Sequence, residues 1–547
     1  MALAFVACGI EIVVLGWLGT WKWHIPFNPA SAGSAAYWLS VLVLLCTTFL
    51  MAGRRRRYSG VFIFLPVLAY VLVMGAGGCL SSGLINARRY ALQLGVPEPS
   101  ELGEQDLPPF DPAQLPWVSV EQAAVLGDKL LGQLGAIGSS VVIQGYTRQE
   151  VGGRLYHVAP ILHKGFFAYS RNSGGTPGYI MVSMTDNDDV RLVTRLDGRD
   201  LKIRVQPAGH AAWGDKLERI VYSYSPTALT SYTVFEIDDE LHPYWIVPVY
   251  RNTIGWSGAE LSSLLIVDAV SGDIQEYSPL EVPAWVDRVQ PVEFIEEQLS
   301  HWGELRGGYW NRWLAKADLL QSDPGNALVY RDGGCYLFDS LTSYAGSDEA
   351  TVGFVLVNLR SKAVQRFNLA GATEWAAQLS ALGDERVRHL RYQAGFPVPA
   401  MVEGQPTYFF SLEDPGSHIA KMFALVNIAK HQITGVGATI QAARIDYLAK
   451  LRGQGLAVLH SPGVELFEVT GRVLRRGQYT QGGETYYNFI IDEAHDRILL
   501  AGGGFAEAPL TQAGDRVHIR AMKTEDSIWS LVFFDNLEFS QAQPPQK

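Results

Sequence analysis

The first 83 residues constrain the structure of this chain most, because they contain three long apolar segments. These segments run from Ala2 to about Trp21, from Ala35 to Ala52 and from Val61 to about Leu80. Each approaches the roughly 20 apolar residues that an α-helix needs to cross the hydrocarbon core of a bilayer. We therefore predict a membrane domain of three transmembrane helices in residues 1–83.

The loop between the second and third segments sets the predicted orientation, since it consists of Arg54, Arg55, Arg56 and Arg57. Short loops rich in lysine and arginine stay on the cytoplasmic side of a membrane. The N-terminus is then cytoplasmic, and residues 84–547 lie outside the cytoplasm. Two arginines after the third segment oppose this orientation but are outnumbered. The predicted location is the bacterial cytoplasmic (inner) membrane.

Glu11 is an ionisable residue in the middle of the first apolar segment. A charged side chain at the centre of a bilayer costs about 3 kcal/mol on insertion scales, so such residues usually face the interior of a helix bundle. We therefore expect Glu11 to face another helix or to be protonated.

A different membrane anchor is the main alternative. If translation began at Met51, the arginines, the following apolar run and Cys79 would resemble a lipoprotein signal peptide. Cys79 could then carry lipid, and the first two segments would not exist. Both versions leave the large domain outside the cytoplasm.

Composition restricts the partners of the exterior part. The chain carries a net charge of −11, and residues 1–84 contain five basic residues and one acidic residue, so the remainder carries −15. Such an acidic domain repels nucleic acid and anionic lipid headgroups at long range. Cys335 is the only cysteine after the apolar segments, so no disulfide can form within the exterior part.

Residues 84–116 form a proline-rich acidic stretch between the membrane domain and the rest of the chain. Six prolines lie between Pro97 and Pro116, together with five acidic residues. Proline-rich segments are stiff and extended. We expect a linker here, with the folded part beginning near Trp117.

A weak internal repeat follows. Val267, Val357 and Val426 each precede a turn, and an aliphatic residue follows seven positions later in all three. This spacing is typical of a short β-hairpin. An aromatic strand precedes each hairpin and a helical pattern follows it, over 292–302, 372–382 and 440–451. Residues 156–161 and 179–184 suggest a fourth, degraded copy near the start.

One copy carries a family resemblance. Pro243-Tyr244-Trp245-Ile246-Val247-Pro248-Val249, followed by Leu265 to Ile274, resembles a PepSY-type repeat, a helix and antiparallel sheet found outside bacterial cytoplasmic membranes. The whole chain is similar to uncharacterised bacterial membrane-anchored proteins with PepSY-like repeats. The resemblance implies an α+β array, with repeats 1 and 2 in 117–290 and repeats 3 and 4 in 291–455. It also implies a binding or inhibitory unit without catalytic residues.

Residues 463–540 show only strand patterns. The predicted strands are 467–474, 485–492, 497–500, 516–522 and 528–536. Five strands of this length look like a closed barrel of the OB type, which often binds single-stranded nucleic acid. The region has seven basic and twelve acidic residues, so we expect no nucleic-acid partner.

The aromatic strands hold the candidate binding residues. Tyr244, Trp245, Tyr336 and Tyr408 recur in them, and Trp256 lies in a glycine-flanked loop as a possible exposed contact point. The alternative is that the strand aromatics form the inner face of a sheet covered by its helix. We find no catalytic, metal-binding or cofactor motif in the sequence.

These observations favour a membrane-anchored extracytoplasmic scaffold or binding protein of the bacterial envelope, within a larger assembly. The expected partners are the lipid bilayer, other proteins and further copies of the chain. One alternative is an envelope enzyme with a site assembled across the repeats, for example around Asp238, Asp239 and His242. Another is a component of a secretion or DNA-transfer apparatus.

Overall fold

The computed structural model describes most of the chain. The described residues are 2–52, 59–132, 138–322, 327–331, 333–344, 350–454, 456, 466–481, 484–501, 505, 507–523 and 528–540. Arg54, Arg55, Arg56 and Arg57 lie outside them. The chain divides into two compact units. The first unit is Met1–Leu102 with Val118–Ala370, and the second is Gly103–Trp117 with Gly371–Lys547.

Apolar helices begin the first unit. They are α1 (Ala2–Trp17), α2 (Ala32–Ala52) and α3 (Ser59–Ser81), followed by the shorter α4 (Gly83–Ala91). Two stretches, Ala32–Phe49 and Phe64–Ala91, are long and apolar enough to cross a membrane, and almost none of the residues in their most apolar 18-residue parts are buried in the protein. These two helices are compatible with a membrane anchor. α1 has 16 residues and continues as a π-helix, Leu18–Lys22.

Glu11 contacts the neighbouring apolar helix. The Thr48 hydroxyl of α2 donates a hydrogen bond of 2.7 Å to the Glu11 carboxylate, and the Tyr37 hydroxyl donates one of 2.7 Å to the carbonyl of Leu15. The carboxylate therefore faces α2, which gives it a polar partner in an otherwise apolar helix pair.

Three helix-and-sheet modules follow in the first unit. The first, module 1, contains α5 (Val120–Leu131), β1 (Val141–Ile143), β2 (Thr147–Val151), β3 (Arg154–His163), α6 (Phe166–Arg171), β4 (Tyr179–Ser183) and β5 (Val190–Val193). A small hairpin, β6 (Arg195–Leu196) with β7 (Arg199–Asp200), follows module 1.

Module 2 contains α7 (Leu217–Tyr224), β8 (Leu229–Thr230), β9 (Val234–Ile237), β10 (Pro243–Ile254), β11 (Ser257–Asp268) and β12 (Ile274–Tyr277). Module 3 contains α8 (Val292–Leu305), α9 (Tyr309–Trp313), β13 (Leu320–Ser322), β14 (Ala327–Arg331), β15 (Gly334–Ser343), β16 (Ala350–Asn358) and β17 (Val364–Phe367).

The second unit holds one further module and a barrel. Module 4 contains β18 (Gly371–Ala372), α10 (Glu374–Gly383), β19 (Gln393–Ala394), β20 (Val398–Val402), β21 (Gln405–Glu413), β22 (Ala420–Asn427), β23 (Thr434–Gly437) and α11 (Ile440–Gly453). The barrel contains β24 (Leu466–Gln481), β25 (Glu484–Ile491), β26 (Ile498–Ala501), β27 (Arg516–Lys523) and β28 (Ile528–Asn536), with α12 (Leu537–Ser540) after it. The barrel is closed in the order β24-β25-β26-β28-β27, and only its β26–β28 pair is parallel among the described pairings.

The four modules share one strand order within the described residues. The sheets run β1-β3-β4-β5, β8-β10-β11-β12, β13-β15-β16-β17 and β19-β21-β22-β23, and in each a further strand pairs with the long second strand. All these pairings within the modules are antiparallel. The first unit and module 4 are therefore built mainly from repeated antiparallel sheets.

The repeat in the sequence has a local physical cause. Asp268 ends β11, and its carboxylate accepts hydrogen bonds from the backbone N–H groups two and three residues later, at 2.7 and 2.9 Å. Asn358 does the same at the end of β16, at 2.9 and 2.8 Å. Asn427 caps its turn through the N–H of Lys430 at 2.8 Å. Aspartate and asparagine favour such turns because their side chains replace a backbone acceptor.

The order of helix and sheet differs from the expectation. Helices occupy the predicted ranges, but α8 packs on the sheet that follows it, with Ile295, Leu299 and Trp302 buried against Leu337 and Val355. The helical pattern after repeat 2 is thus the first element of module 3. α11 is a second helix on module 4, where it shares the core with β21 and β22.

Residues 84–116 differ from the stiff linker that we expected. Leu94 is buried in the core of module 3, and the N–H of Ser100 donates to the carbonyl of Arg366 beside β17, at 2.9 Å. In the second unit, Met401 of β20 exchanges backbone hydrogen bonds with Pro108 and Phe110, at 2.8 and 3.0 Å. The proline-rich stretch therefore extends sheet edges, which proline tolerates because an edge strand needs fewer N–H donors.

Candidate functional site

The tip of the β10–β11 hairpin is fixed to the apolar helices. The backbone N–H of Trp256 donates to the hydroxyl of Ser81 in α3 at 2.7 Å, and its indole N–H donates to the carbonyl of Pro29 at 2.9 Å. The indole lies on Gly77, where a Cβ would come within 3.0 Å of the ring. Trp256 is therefore half-buried against α3, and is not the exposed contact point that its glycine-flanked loop suggested.

Polar contacts surround this tip. The Arg89 guanidinium donates to the carbonyl of Thr253 at 2.6 Å, and the Asn252 amide donates to the carbonyl of Ala30 at 2.8 Å. Gly255 has a φ of +61°, and a Cβ there would lie 2.5 Å from the Ser81 hydroxyl. Both the backbone conformation and the close approach require glycine at this position.

The loop between α1 and α2 binds module 2 as well. The Arg219 guanidinium donates to the carbonyl of Trp21 at 2.8 Å and lies 3.4 Å above the centre of its ring. The N–H of Phe27 donates to the carbonyl of Pro226, and the Asn28 amide donates to the carbonyl of Thr227, both at 2.9 Å. We call the contacts of residues 21–30 and 77–93 with residues 216–260 the docking surface.

A cavity of about 670 Å³ lies within the docking surface, between the α1–α2 loop and module 2. Lys22, His24, Lys216 and Glu218 contribute its charged and titratable groups. Burial, and then the charges of Lys216 and Arg219, lower the pKa of His24 to about 4. His24 is thus neutral near pH 7, and its Nδ1 lies 3.5 Å from the Lys216 ammonium group.

A second cavity, of about 390 Å³, lies between α4 and module 3. Arg88 and Arg306 stand on its wall beside Trp302, and none of its described lining residues is acidic. The Arg306 and Arg366 guanidinium carbons lie 5.3 and 5.2 Å from the centre of the Trp302 ring system. This cavity therefore has a locally positive wall in a unit whose overall charge is negative.

Buried ionisable groups join the three modules of the first unit. Glu236 of β9 is fully buried, and its Oε1 lies 4.0 Å from Nε of Arg288, which precedes module 3. Burial raises the pKa of Glu236 to about 8, although the Arg288 charge opposes the rise. Burial also raises the pKa of Asp287 to about 7, and its carboxylate accepts a 2.6 Å hydrogen bond from the N–H of Glu150 in β2.

Cys335 and Tyr330 complete this junction from module 3. The Tyr330 hydroxyl donates to the carbonyl of Arg148 in β2 at 3.0 Å. Burial raises the pKa of the Cys335 thiol to about 12. A thiol of that pKa stays protonated near neutral pH and is a poor nucleophile. The junction thus serves to connect modules, with Cys335 as a buried small residue.

The aromatic strand residues predicted to bind a ligand do not form one surface. Tyr244 and Tyr336 pair across the sheet with the residues that begin the following turns, Asp268 and Asn358. Tyr408 pairs one residue earlier along its partner strand. Its side chain therefore points to the opposite face, because successive strand residues alternate between faces.

Burial removes two of these residues from any surface. Trp245 is 4% exposed, and its indole N–H donates to the carbonyl of Val205 at 2.8 Å. Tyr408 is 0% exposed. Tyr244 is partly exposed and stacks on Trp285, with ring centres 5.1 Å apart. Trp245 and Tyr408 are core residues, which corrects their assignment as binding residues.

The acidic cluster before β10 forms a turn. The N–H of His242 donates to the carboxylate of Asp238 at 2.7 Å, and His242 Nε2 lies 3.0 Å from an oxygen of Asp268. Asp239 is exposed in the same turn. Among the described residues, no group of three or more His, Cys, Asp or Glu side chains could hold a metal ion.

Nothing local in the sequence indicates the arginine cavity. Arg88 lies in α4, Arg306 follows α8 and Arg366 lies in β17, so only the fold brings them together. No protein-family model, curated protein or solved structure matches the chain.

Proposed function

We propose that this protein is a membrane-anchored scaffold or binding protein of the bacterial envelope, with module 2 held in a fixed position on the membrane helices. The observation that carries the proposal is the double hydrogen bond of Trp256 to Ser81 and Pro29. Through it, one hairpin tip holds the end of α3 and the start of α2 together. A module fixed in this way presents its remaining surfaces at a defined angle to the bilayer.

The helix ends in the docking surface support three membrane crossings. Module 2 contacts the π-helix that continues α1 at Trp21, the loop before α2 at Ala30 and the end of α3 at Ser81. These three ends therefore lie on one side, and α2 ends at Ala52 and α3 begins at Ser59 on the opposite side from module 2. The sequence between these two residues contains Arg54, Arg55, Arg56 and Arg57, which favours a cytoplasmic N-terminus and extracytoplasmic modules.

The repeated strand order supports an assignment of the modules as PepSY-like. Each has a helix before a sheet whose long second strand pairs with two short strands, as β10 does with β8 and β9. In the barrel, the order β24-β25-β26-β28-β27 with a parallel β26–β28 pair supports the OB type. In this proposal the modules and barrel bind protein partners, and further copies of the chain are one such partner.

Membrane-impermeant maleimide labelling of intact spheroplasts tests the layout. In a cysteine-free background, a cysteine at the exposed Ser170 of module 1 should react in intact spheroplasts. A matched cysteine at Ser59, the first residue of α3, should react only after permeabilisation. Labelling at Ser59 alone in intact spheroplasts would overturn the orientation.

Co-purification from gently solubilised membranes tests the scaffold role. The proposal expects other envelope proteins, or stoichiometric copies of the chain, to elute with a tagged version. Two results together would contradict a role in an assembly. The tagged chain would elute only as single copies, and crosslinking before lysis would yield no larger species.

A further inference from the structure

The arginine cavity lies where α4 turns away from α3 and packs on α8. Arg88 and Leu92 come from α4, and Trp302 and Arg306 come from the end of α8 and the residue that follows it. Gly95 and Val96 close another side. Two cationic side chains from separate elements thus face one space of about 390 Å³.

A third cation stands behind the same wall. Trp302 is 8% exposed, and both Arg306 and Arg366 approach its ring system. The Nε–H of Arg366 is buried without a hydrogen-bond partner in the described part of the chain. Burial, followed by repulsion from Arg306, lowers the pKa of Arg366, while the charge of the exposed Glu98 opposes this shift.

In the described part of the chain, the charge of Glu98 acts on Arg366 but the two arginines that line the cavity have no paired carboxylate. Within the described residues, neither Arg88 nor Arg306 forms a salt bridge, although ion pairs occur elsewhere in the same unit, such as Lys362 with Glu260 at 2.7 Å. Like charges held together repel one another, and an anion bound between them relieves that repulsion. Guanidinium groups match phosphate geometry through paired N–H donors, and they stack on indole rings as they do here on Trp302.

The surroundings of the cavity are apolar and exposed. Leu84, Ile85 and Leu92 of this segment are 52%, 63% and 63% exposed. Leu84 and Ile85 come soon after α3 and lie in the stretch Phe64–Ala91 that is apolar enough to cross a membrane, and Leu92 follows α4. The cavity therefore opens beside the segment that leaves the bilayer.

The short helix α9 adds aromatic residues to this region. The Tyr309 ring lies 3.6 Å from the position that a Cβ on Gly83 would take, so α9 packs on the start of α4. Trp310, Trp313 and Leu314 are 63%, 62% and 79% exposed. Exposed tryptophan residues next to a membrane helix are typical of the interface between headgroups and acyl chains.

We propose that this cavity binds the phosphate of an anionic phospholipid in the outer leaflet. Arg88 and Arg306 contact the phosphate, Arg366 adds positive charge through the shared Trp302 wall, and the acyl chains lie along Leu84, Ile85 and α9. The apolar rim selects a lipid over free phosphate as the source of this anion. The proposed lipid site rests on the proposed membrane anchoring. The arginines contact the phosphate at short range, so the net charge of −15 outside the apolar segments does not prevent binding.

Native mass spectrometry of the full chain, released from detergent micelles containing phosphatidylglycerol, measures the site. The double variant R88Q/R306Q should retain about tenfold less phosphatidylglycerol than the wild type, since it loses the charge-assisted hydrogen bonds from both guanidinium groups to the phosphate. The matched control is R171Q/R199Q, which removes the same charge at two exposed arginines of the same unit. It should retain lipid as the wild type does.

Two further arms identify the source of the anion. Phosphatidylcholine with the same acyl chains should be retained much less than phosphatidylglycerol, and inorganic phosphate at millimolar concentration should not displace phosphatidylglycerol. Equal retention of both lipids, displacement by inorganic phosphate, or unchanged retention in R88Q/R306Q would each overturn the proposal. The Ser170 labelling described above reads membrane topology independently, so failure of the lipid site and failure of the anchoring are distinguishable.

Discussion

The indole of Trp256 lies on the backbone of Gly77 in α3. One turn later in α3, the hydroxyl of Ser81 accepts a hydrogen bond from the backbone N–H of Trp256. A side chain at residue 77 would occupy the space of the ring. The docking of module 2 on the apolar helices therefore depends on one glycine within a helix, where glycine is otherwise unfavourable.

Substitution of this glycine should undock the hairpin. We expect Gly77→Ala to lower the free energy of unfolding of the solubilised chain by about 1–3 kcal/mol, the usual cost of overpacking. Gly78→Ala is the matched control, since a Cβ there meets nothing within 4 Å. The measurement is thermal unfolding followed by tryptophan fluorescence. Equal unfolding midpoints for the two variants would show that the contact contributes nothing.

The asparagine that caps the hairpin turn of module 3 should contribute locally. Asn358→Ala removes the acceptor for the N–H groups of Arg360 and Ser361, so we expect a loss of about 1 kcal/mol. Asn358→Asp keeps an acceptor and should restore most of the stability. Asn368→Ala, at an exposed position, is the control. Chemical denaturation compares them, and a loss for the aspartate variant equal to that for alanine would contradict the capping role.

Glu236 should make the first unit less stable as the pH rises. Its pKa in the folded protein, about 8, lies above the ordinary value of 4.5, so the folded state binds the proton more tightly. The stabilisation is complete below pH 4.5 and is lost as the pH rises through about 8. Glu236→Gln should remove this dependence.

The pH profile of the difference in unfolding temperature between wild type and Glu236→Gln isolates this effect. Other titrating groups occur in both proteins, including His157, whose pKa burial lowers to about 4. We expect the wild type to lose stability relative to the variant between pH 4.5 and pH 8. If the difference in unfolding temperature does not change across this pH range, Glu236 is not the source of a pH-dependent loss of stability.

Cys79 tests the alternative anchor. It is exposed on α3, which continues to Ser81, and the α1–α2 loop has specific contacts with module 2. We therefore expect the Cys79→Ser variant to stay in the membrane fraction. We also expect wild type and variant each to have the mass calculated from its sequence. Release of the variant into the soluble fraction, or loss of a lipid-sized mass increment, would favour the start at Met51.

The sequence predicted regular elements well where the pattern was local. The predicted barrel strand 528–536 has the bounds of β28, and the helix predicted over 440–451 lies within α11. The alternation of apolar and polar residues in strands and the spacing of apolar residues in helices depend only on nearby residues, so both can be recognised from the sequence alone. The repeated turn was detectable for the same reason, since Asp268 and Asn358 act on backbone groups two and three residues away.

The candidate sites were less predictable because they depend on register and on distant contacts. Tyr408 was aligned with Tyr244, yet a difference of one residue in register places it on the buried face. Trp256 resembled an exposed loop residue because nothing local indicates that Gly77 receives its ring. In the sequence, Arg88 is notable only as one of two arginines that oppose the predicted orientation. Arg306 lines the same cavity but is more than 200 residues away in the sequence.

Crosslinking between the α1–α2 loop and β10 measures the docking surface. In a cysteine-free chain expressed in cells, a short bismaleimide should join the pair Ala30→Cys and Asn252→Cys, because the Asn252 amide donates to the Ala30 carbonyl at 2.8 Å. Ser59→Cys with Asn252→Cys is the control, since Ser59 begins α3 at the end opposite Ser81. We expect a crosslink for the first pair only. If both cysteines of the first pair react with maleimide but stay unlinked, module 2 does not dock on the α1–α2 loop.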